Sequence, residues 1–152
     1  MLRIVPGDFA DSRVLNLLRE HLAELHGCSP PGSVYALGAT ALQAPDVAFF
    51  AAWRGEEILG FGALRHLDRA NAEIKSMRTA APHLRQGVAS RLLEHLLALA
   101  RSRGYARVSL ETGSGAAFEP ALALYRRYGF RNGEVFGDYQ ASAFNQFLHL
   151  EL

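Results

Sequence analysis

From about Gln86 to Arg103 the apolar residues Val88, Ala89, Leu92, Leu93, Leu96, Leu97 and Ala100 recur on one side of a 3.6-residue period. Gly104 stands where such a helix stops. A face this apolar must lie against a larger apolar surface, and the flanking segments supply one. AEIKSMRT, ending at Thr79, and RVSLET, starting at Arg107, alternate apolar with polar residues and read as strands. A long helix held between two strands by short connections leads to an α/β arrangement with the helix laid across a sheet.

The rest of the chain extends that sheet. LRIV at the start reads as a strand, after which Asp11 or Ser12 caps a helix carrying Val14, Leu15, Leu18, Leu22 and Leu25 and ended by Gly27. Pro30, Pro31, Gly32 and Gly38 break the connection from Ser29 to Asp46, which has room for a short helix around Val34 to Leu42. VAFFAAW and EILGFGALR, separated by Arg54 and Gly55, have the pattern of an antiparallel hairpin, and AEIKSMRT follows as a third strand. Pro120 suits the first turn of a further helix through Ala121, Leu124, Tyr125 and Tyr128 to Gly129, and NQFLHLEL closes the sheet. The expected fold is α/β, a mixed, mostly antiparallel central sheet with flanking helices, forming one domain over residues 1–152.

Composition narrows the function classes. Apolar residues are 49% and charged residues 20% of the 152, the balance of a globular protein that buries roughly 70% of its unfolded surface. With 16 Lys and Arg against 15 Asp and Glu there is no basic excess for nucleic acid, so any anion site must be local. Cys28 is the only cysteine, which rules out an intrachain disulfide and a cysteine metal cluster and fits a reducing compartment. The N-terminus MLRIVPGDF has no secretory apolar segment and no run is long enough to span a bilayer; the expectation is a cytoplasmic protein with no membrane partner. His21 and His26 flank Glu24, but a five-residue spacing puts them on different faces and HExxH is absent, so no metal is expected.

The segment HLRQGVAS joins the strand ending near Thr79 to the long helix. Unpaired N–H groups at a helix start, with the helix dipole, attract phosphate oxygens. Gly87 lets a pyrophosphate approach the backbone, Ala89 and Ser90 keep the first turn open, and Arg85 offers a charge-assisted contact. A helix start that merely needs small residues would look the same.

Here the chain resembles the GNAT acetyltransferases, which have a strand, then an Arg/Gln-x-x-Gly-x-Gly/Ala loop opening a long helix. Gly87 and Ala89 match the last two positions, whereas Leu84 falls where the family has Arg or Gln, leaving Arg85 or Gln86 to stand in. ALALYRRYGF is similar to the family's Ala-x-x-Leu-Tyr-x-x-x-Gly-Phe, with Ala121, Leu124, Tyr125, Gly129 and Phe130 in register, and Phe118 stands where many members have Asn. The resemblance implies acetyl-CoA as acyl donor, with its pantetheine arm along AEIKSMRT at Met77, Arg78 and Thr79. It implies the pyrophosphate at Leu84, Arg85, Gln86, Gly87, Val88, Ala89 and Ser90, with Phe118 and Tyr125 beside the cofactor. A backbone N–H near Met77 or Arg78 would stabilise the oxyanion.

Acetyl transfer to an amine needs a base for the ammonium, whose pKa is near ~10, and an acid for the departing thiolate. Period-two alternation puts Glu73 opposite Ala72 and Ile74, and the resemblance implies that an acid at this strand position often serves as base, which favours Glu73 over Glu111 near the end of the next strand. Either could instead be an ordinary strand carboxylate paired with Lys75 or Arg107. Tyr125 matches the family's acid, although its spacing alone is that of a core aromatic.

GSGAAF, from Gly113 to Phe118, imitates a dinucleotide loop but lacks the last glycine and comes too late in the chain for a Rossmann half. GDY at Gly137 to Tyr139 reads as a turn. The leading function is N-acetyl transfer to the primary amine of a small molecule or peptide by direct attack. The alternative is an acyl-CoA-binding regulatory module of the same fold without turnover, kept open by Leu84 and Phe118. The oligomeric state stays open, with a homodimer as the expected possibility.

Overall fold

The computed structural model describes residues 1–32 and 37–152. Strand β1 (Leu2–Pro6) leads into α1 (Ser12–Cys28) and the short α2 (Ala39–Leu42); β2 (Val47–Arg54), β3 (Glu57–His66) and β4 (Asn71–Thr79) follow as an antiparallel run. Helix α3 (Val88–Ser102), β5 (Arg107–Thr112), α4 (Glu119–Arg127), the two-residue β6 (Arg131–Asn132) and β7 (Gln146–Glu151) complete the chain. The seven strands form one sheet in the order β1-β2-β3-β4-β5-β7-β6, and every pairing is antiparallel except β4 with β5. This is the mixed, mostly antiparallel sheet with flanking helices that the periodicities predict.

Both faces of the sheet are covered. On one, Leu64, Ala72 and Ile74 of β3 and β4 pack with Leu93, Leu96 and Leu97 of α3 and with Leu122 and Tyr125 of α4. On the other, Val14, Leu17 and Leu18 of α1 and Leu42 of α2 cover Phe49, Ala51, Trp53 and Phe61. A fully buried leucine contributes roughly 1.5–3 kcal/mol, whereas an isolated helix of α3's length is marginal in water. The sheet, more than intrinsic propensity, holds α3 in place.

The element ends differ from the sequence expectation for local reasons. Asp11 is the cap of α1, accepting the Arg13 N–H, but the helix passes Gly27 to Cys28, and Leu17 and His21 are buried where Leu15 and Leu25 are only half-buried. Helix α3 begins at Val88 and not at Gln86, because Arg85 (φ 62°) and Gly87 (φ 81°) hold left-handed conformations that no right-handed helix includes. The expected helix around Val34 to Leu42 is described only as Ala39–Leu42; residues 33–36 lie outside the described residues.

Candidate active site

Strands β4 and β5 stay together only at their starts. Asn71, Ala72 and Glu73 pair with Arg107, Val108 and Ser109; beyond them β4 continues to Thr79 along β3 and β5 continues to Thr112 along β7. The divergence coincides with an irregularity in β4, where Ser76 has φ 56° and the register against β3 shifts between Phe61 and Ala63. Such a bulge bends and twists a strand away from its neighbour. A cleft of about 740 Å³ opens between the two strands and runs past the start of α3, the side of α4 and the C-terminal end of α1.

The start of α3 forms one end of the cleft. Its N-cap is Gly87, no side chain caps it, and nothing lies within 4 Å of where a Cβ on Gly87 would sit. The first N–H groups of the helix therefore face an open space that a phosphate would fill, beside Arg85 and Arg127 on the wall. Met77, Arg78, Thr79, Leu84, Val88, Ala89, Ser90, Phe118, Tyr125 and Glu111 also line the cleft. Two of the residues singled out in the sequence are not on its wall. Gln86 turns outward, donating to the Pro82 carbonyl at 3.5 Å and accepting from Arg54 at 3.4 Å, and Glu73 is buried beneath the sheet's polar layer.

That polar layer lies on the face opposite Ala72 and Ile74. The Tyr139 hydroxyl donates to Glu73 Oε2 and accepts from Lys75 Nζ at 2.6 Å; Lys75 Nζ is 3.7 Å and Arg65 3.8 Å from the Glu73 carboxylate. Glu111 is on the cleft wall and half-buried. Its pKa is pushed up to about 7, first by burial and then by the charge of Glu73, while Lys75 and Asn145 pull it down. Burial lowers the Lys75 ammonium from its usual value, against the pull of Glu73 and Glu111. Tyr125, which also lines the cleft from α4, packs edge-on to Phe130 and is only 6% exposed; burial raises its phenol and keeps it protonated. The ion pair foreseen for Lys75 is with Glu73, whereas Arg107 pairs with Glu134 and Glu151.

Several site residues escaped the sequence reading. Tyr139, taken for part of a turn, ties the segment between β6 and β7 to β4; its only sequence signal was an aromatic next to Gly137 and Asp138. Lys75 signalled itself through its i, i+2 spacing from Glu73 on one strand face, and Asn145 and Phe144 gave no signal. Gly113, Ala117 and Phe118 of the discounted GSGAAF segment form the lip of the cleft. Among the described residues no group of His, Cys, Asp and Glu is placed to hold a metal ion, and no helix is long and apolar enough to cross a membrane.

A splayed β4–β5 seam, a bare α3 N-terminus facing the opening and a tyrosine from α4 on its wall define an acyl-CoA N-acyltransferase architecture. The chain belongs to the acetyltransferase (GNAT) family, whose family model matches residues 14–130. It is 50% identical over 132 residues to the uncharacterised N-acetyltransferase YsnE of Bacillus subtilis, covering 87% of each chain. To the uncharacterised N-acetyltransferase YedL of Escherichia coli it is 41% identical over 152 residues, covering all of this chain and 96% of the other. Among solved structures, a Bacillus subtilis acetyltransferase in complex with CoA superposes with a TM-score of 0.72 at 19% identity over 100% and 99% of the two chains.

Proposed function

We propose that the chain transfers an acetyl group from acetyl-CoA to the primary amine of a small molecule or peptide by direct attack, with Glu111 as base and Tyr125 as acid. The observation that carries this is that the half-buried carboxyl of Glu111 and the buried phenol of Tyr125 line the same cleft as the bare α3 N-terminus. Glu73, favoured from its strand position, lies off the cleft under Tyr139, so its part in this scheme is to hold Lys75 and Tyr139 and to raise Glu111.

Acetyl-CoA supplies an activated thioester. The first-turn N–H groups of α3, with Arg85 and Arg127, would hold its pyrophosphate, and the edge of β4 left without a strand partner beyond Glu73 would bind its amide-bearing arm at Met77, Arg78 and Thr79. Leu84 and Phe118 do not close this route: Leu84 is 58% exposed at the rim, and backbone groups do most of the holding. Glu111 takes the proton of the incoming ammonium, the free amine attacks the carbonyl carbon, and as the C–N bond forms the C–S bond breaks. Tyr125 donates its hydroxyl proton to the departing sulfur, and the surplus proton on the newly acylated nitrogen passes to the Tyr125 phenolate through water, which leaves a neutral amide and restores the acid. Glu111, near pH 7, is ionised often enough to accept and acidic enough to release the proton to water afterwards.

Calorimetric titration with acetyl-CoA, with NADH as control, followed by an amine screen tests this. Tyr125→Phe should bind acetyl-CoA as the parent does and lose about 10²–10⁴ in kcat. Binding with no turnover on any amine would favour the regulatory alternative, and loss of binding in the parent would overturn both.

A further inference from the structure

The acceptor side of the cleft carries a charge that the transfer chemistry does not use. The bulge at Ser76 places Lys75 and Arg78, three residues apart, on the same face of β4: Lys75 pairs in register with Ala63 and Arg78 with Phe61, and their partners Tyr139 and Glu24 both lie on the α1 side. Without the bulge, strand alternation would send one of the two to the α3 face. Arg78 lines the cleft, and its side chain is 15% exposed. Its Nη1 donates to Glu24 Oε2 at 2.5 Å, from a carboxylate that is itself 58% exposed on α1.

A guanidinium has five N–H donors and stays charged. Among the described residues Glu24 is the sole acceptor recorded for this one, and its Nε is closed to solvent without a partner. The neighbouring His21 adds no charge of its own: burial, and then the field of Arg78, lower its pKa to about 4. Among the same residues Nη2 has no acceptor either and, unlike Nε, is not closed to solvent, so this largely desolvated guanidinium on the cleft wall is a site for an oxyanion, and Arg with a carboxylate makes the strongest such pairing. A purely cationic acceptor would meet this guanidinium and the Lys75 ammonium on its way to Glu111.

We infer that the acceptor is a small amine that also carries a carboxylate, built like an amino acid, with its acid group on Arg78 and its amine toward Glu111. Arg78 is then the specificity-determining residue, and Glu24 the carboxylate with which the substrate's acid group competes for it. The inference rests on the acetyltransferase reading above.

The test compares initial rates for amino acids and for the amines left when each loses its carboxylate, in the parent, Arg78→Met and Glu24→Gln, with acetyl-CoA affinity measured calorimetrically for each. The parent should favour the amino acids by about tenfold to a hundredfold in kcat/KM, the range expected for one charged hydrogen-bonded group. Arg78→Met should abolish that preference by raising KM, and Glu24→Gln should lower KM for the amino acids without changing it for their decarboxylated twins. Equal or better turnover of the twins, or a preference that survives Arg78→Met, overturns the inference while leaving the acetyltransferase reading standing. Should Arg78→Met fail to fold, an unchanged amino-acid KM in Glu24→Gln overturns it, since Glu24 is exposed. A parent protein that binds acetyl-CoA and acetylates no member of the panel overturns the acetyltransferase reading itself.

Discussion

Burial suits Glu111 to the role of base proposed for it and also makes it a burden on the fold. With its pKa pushed up to about 7, kcat/KM should rise with pH through that region, because the base must be ionised to accept a proton. Glu111→Gln should lose about 10²–10⁴ in kcat and abolish that rise, read from initial rates between about pH 5.5 and about pH 9. Stability moves the other way. The folded state keeps a proton that the unfolded chain, with a carboxyl of ordinary pKa 4.5, has already released, so the slope of unfolding free energy with pH is negative from about 4.5 to about 7. Above pH 7 the full penalty is present, and Glu111→Gln should melt higher than the parent at about pH 8 and alike at about pH 4.5. A carboxylate kept for a structural ion pair would give the reverse order at pH 8, so thermal melts at the two pH values separate the roles.

Among the elements, the β3–β4 pair and the start of α3 decide whether there is a cleft at all. A Cβ on Gly60 would strike the Arg78 carbonyl oxygen and press on Val88 and Leu92, and a backbone oxygen cannot swing aside as a side chain can. Gly60→Ala should displace the bulge, costing about 1–3 kcal/mol, or roughly 2–4 °C of melting temperature per kcal/mol, together with acetyl-CoA affinity. Gly87→Ala meets no atom, so its cost is the left-handed φ alone, about 1–2 kcal/mol, with affinity lost at the α3 end only. The same two elements show what was legible in the sequence. Alternation and a 3.6-residue period suffice to reveal strands and a helix, and Gly87 and Ala89 mark the helix start, which is why the fold and the α3 end of the cleft were readable. The length of the β4–β5 seam is a tertiary property, and Ser76 carries no mark of its positive φ. The order of preference between Glu73 and Glu111 likewise depends on a segment, with Tyr139 and Asn145, that sequence periodicity does not place.

At the scale of the whole molecule, the sheet is two antiparallel blocks, β1-β2-β3-β4 and β5-β7-β6, joined by a parallel seam of three residue pairs and by the α3–α4 core beneath it. A ligand lying between β4 and β5 bridges the blocks where strand pairing has stopped. Ligand that binds only the folded state stabilises it by about 2.7 kcal/mol at one hundred times its Kd, which for a chain of this size raises the melting temperature by about 5–10 °C. Acetyl-CoA should produce that shift and NADH none. The bridging has a spatial signature as well. Amide hydrogen exchange should slow along the stretches of β4 and β5 that do not pair with each other, residues 75–79 and 110–112, while β2, paired on both sides, changes only by the global increment. A rise in melting temperature with protection spread evenly over all seven strands would mean that the ligand binds elsewhere, and the cleft would then lose its claim to be the active site.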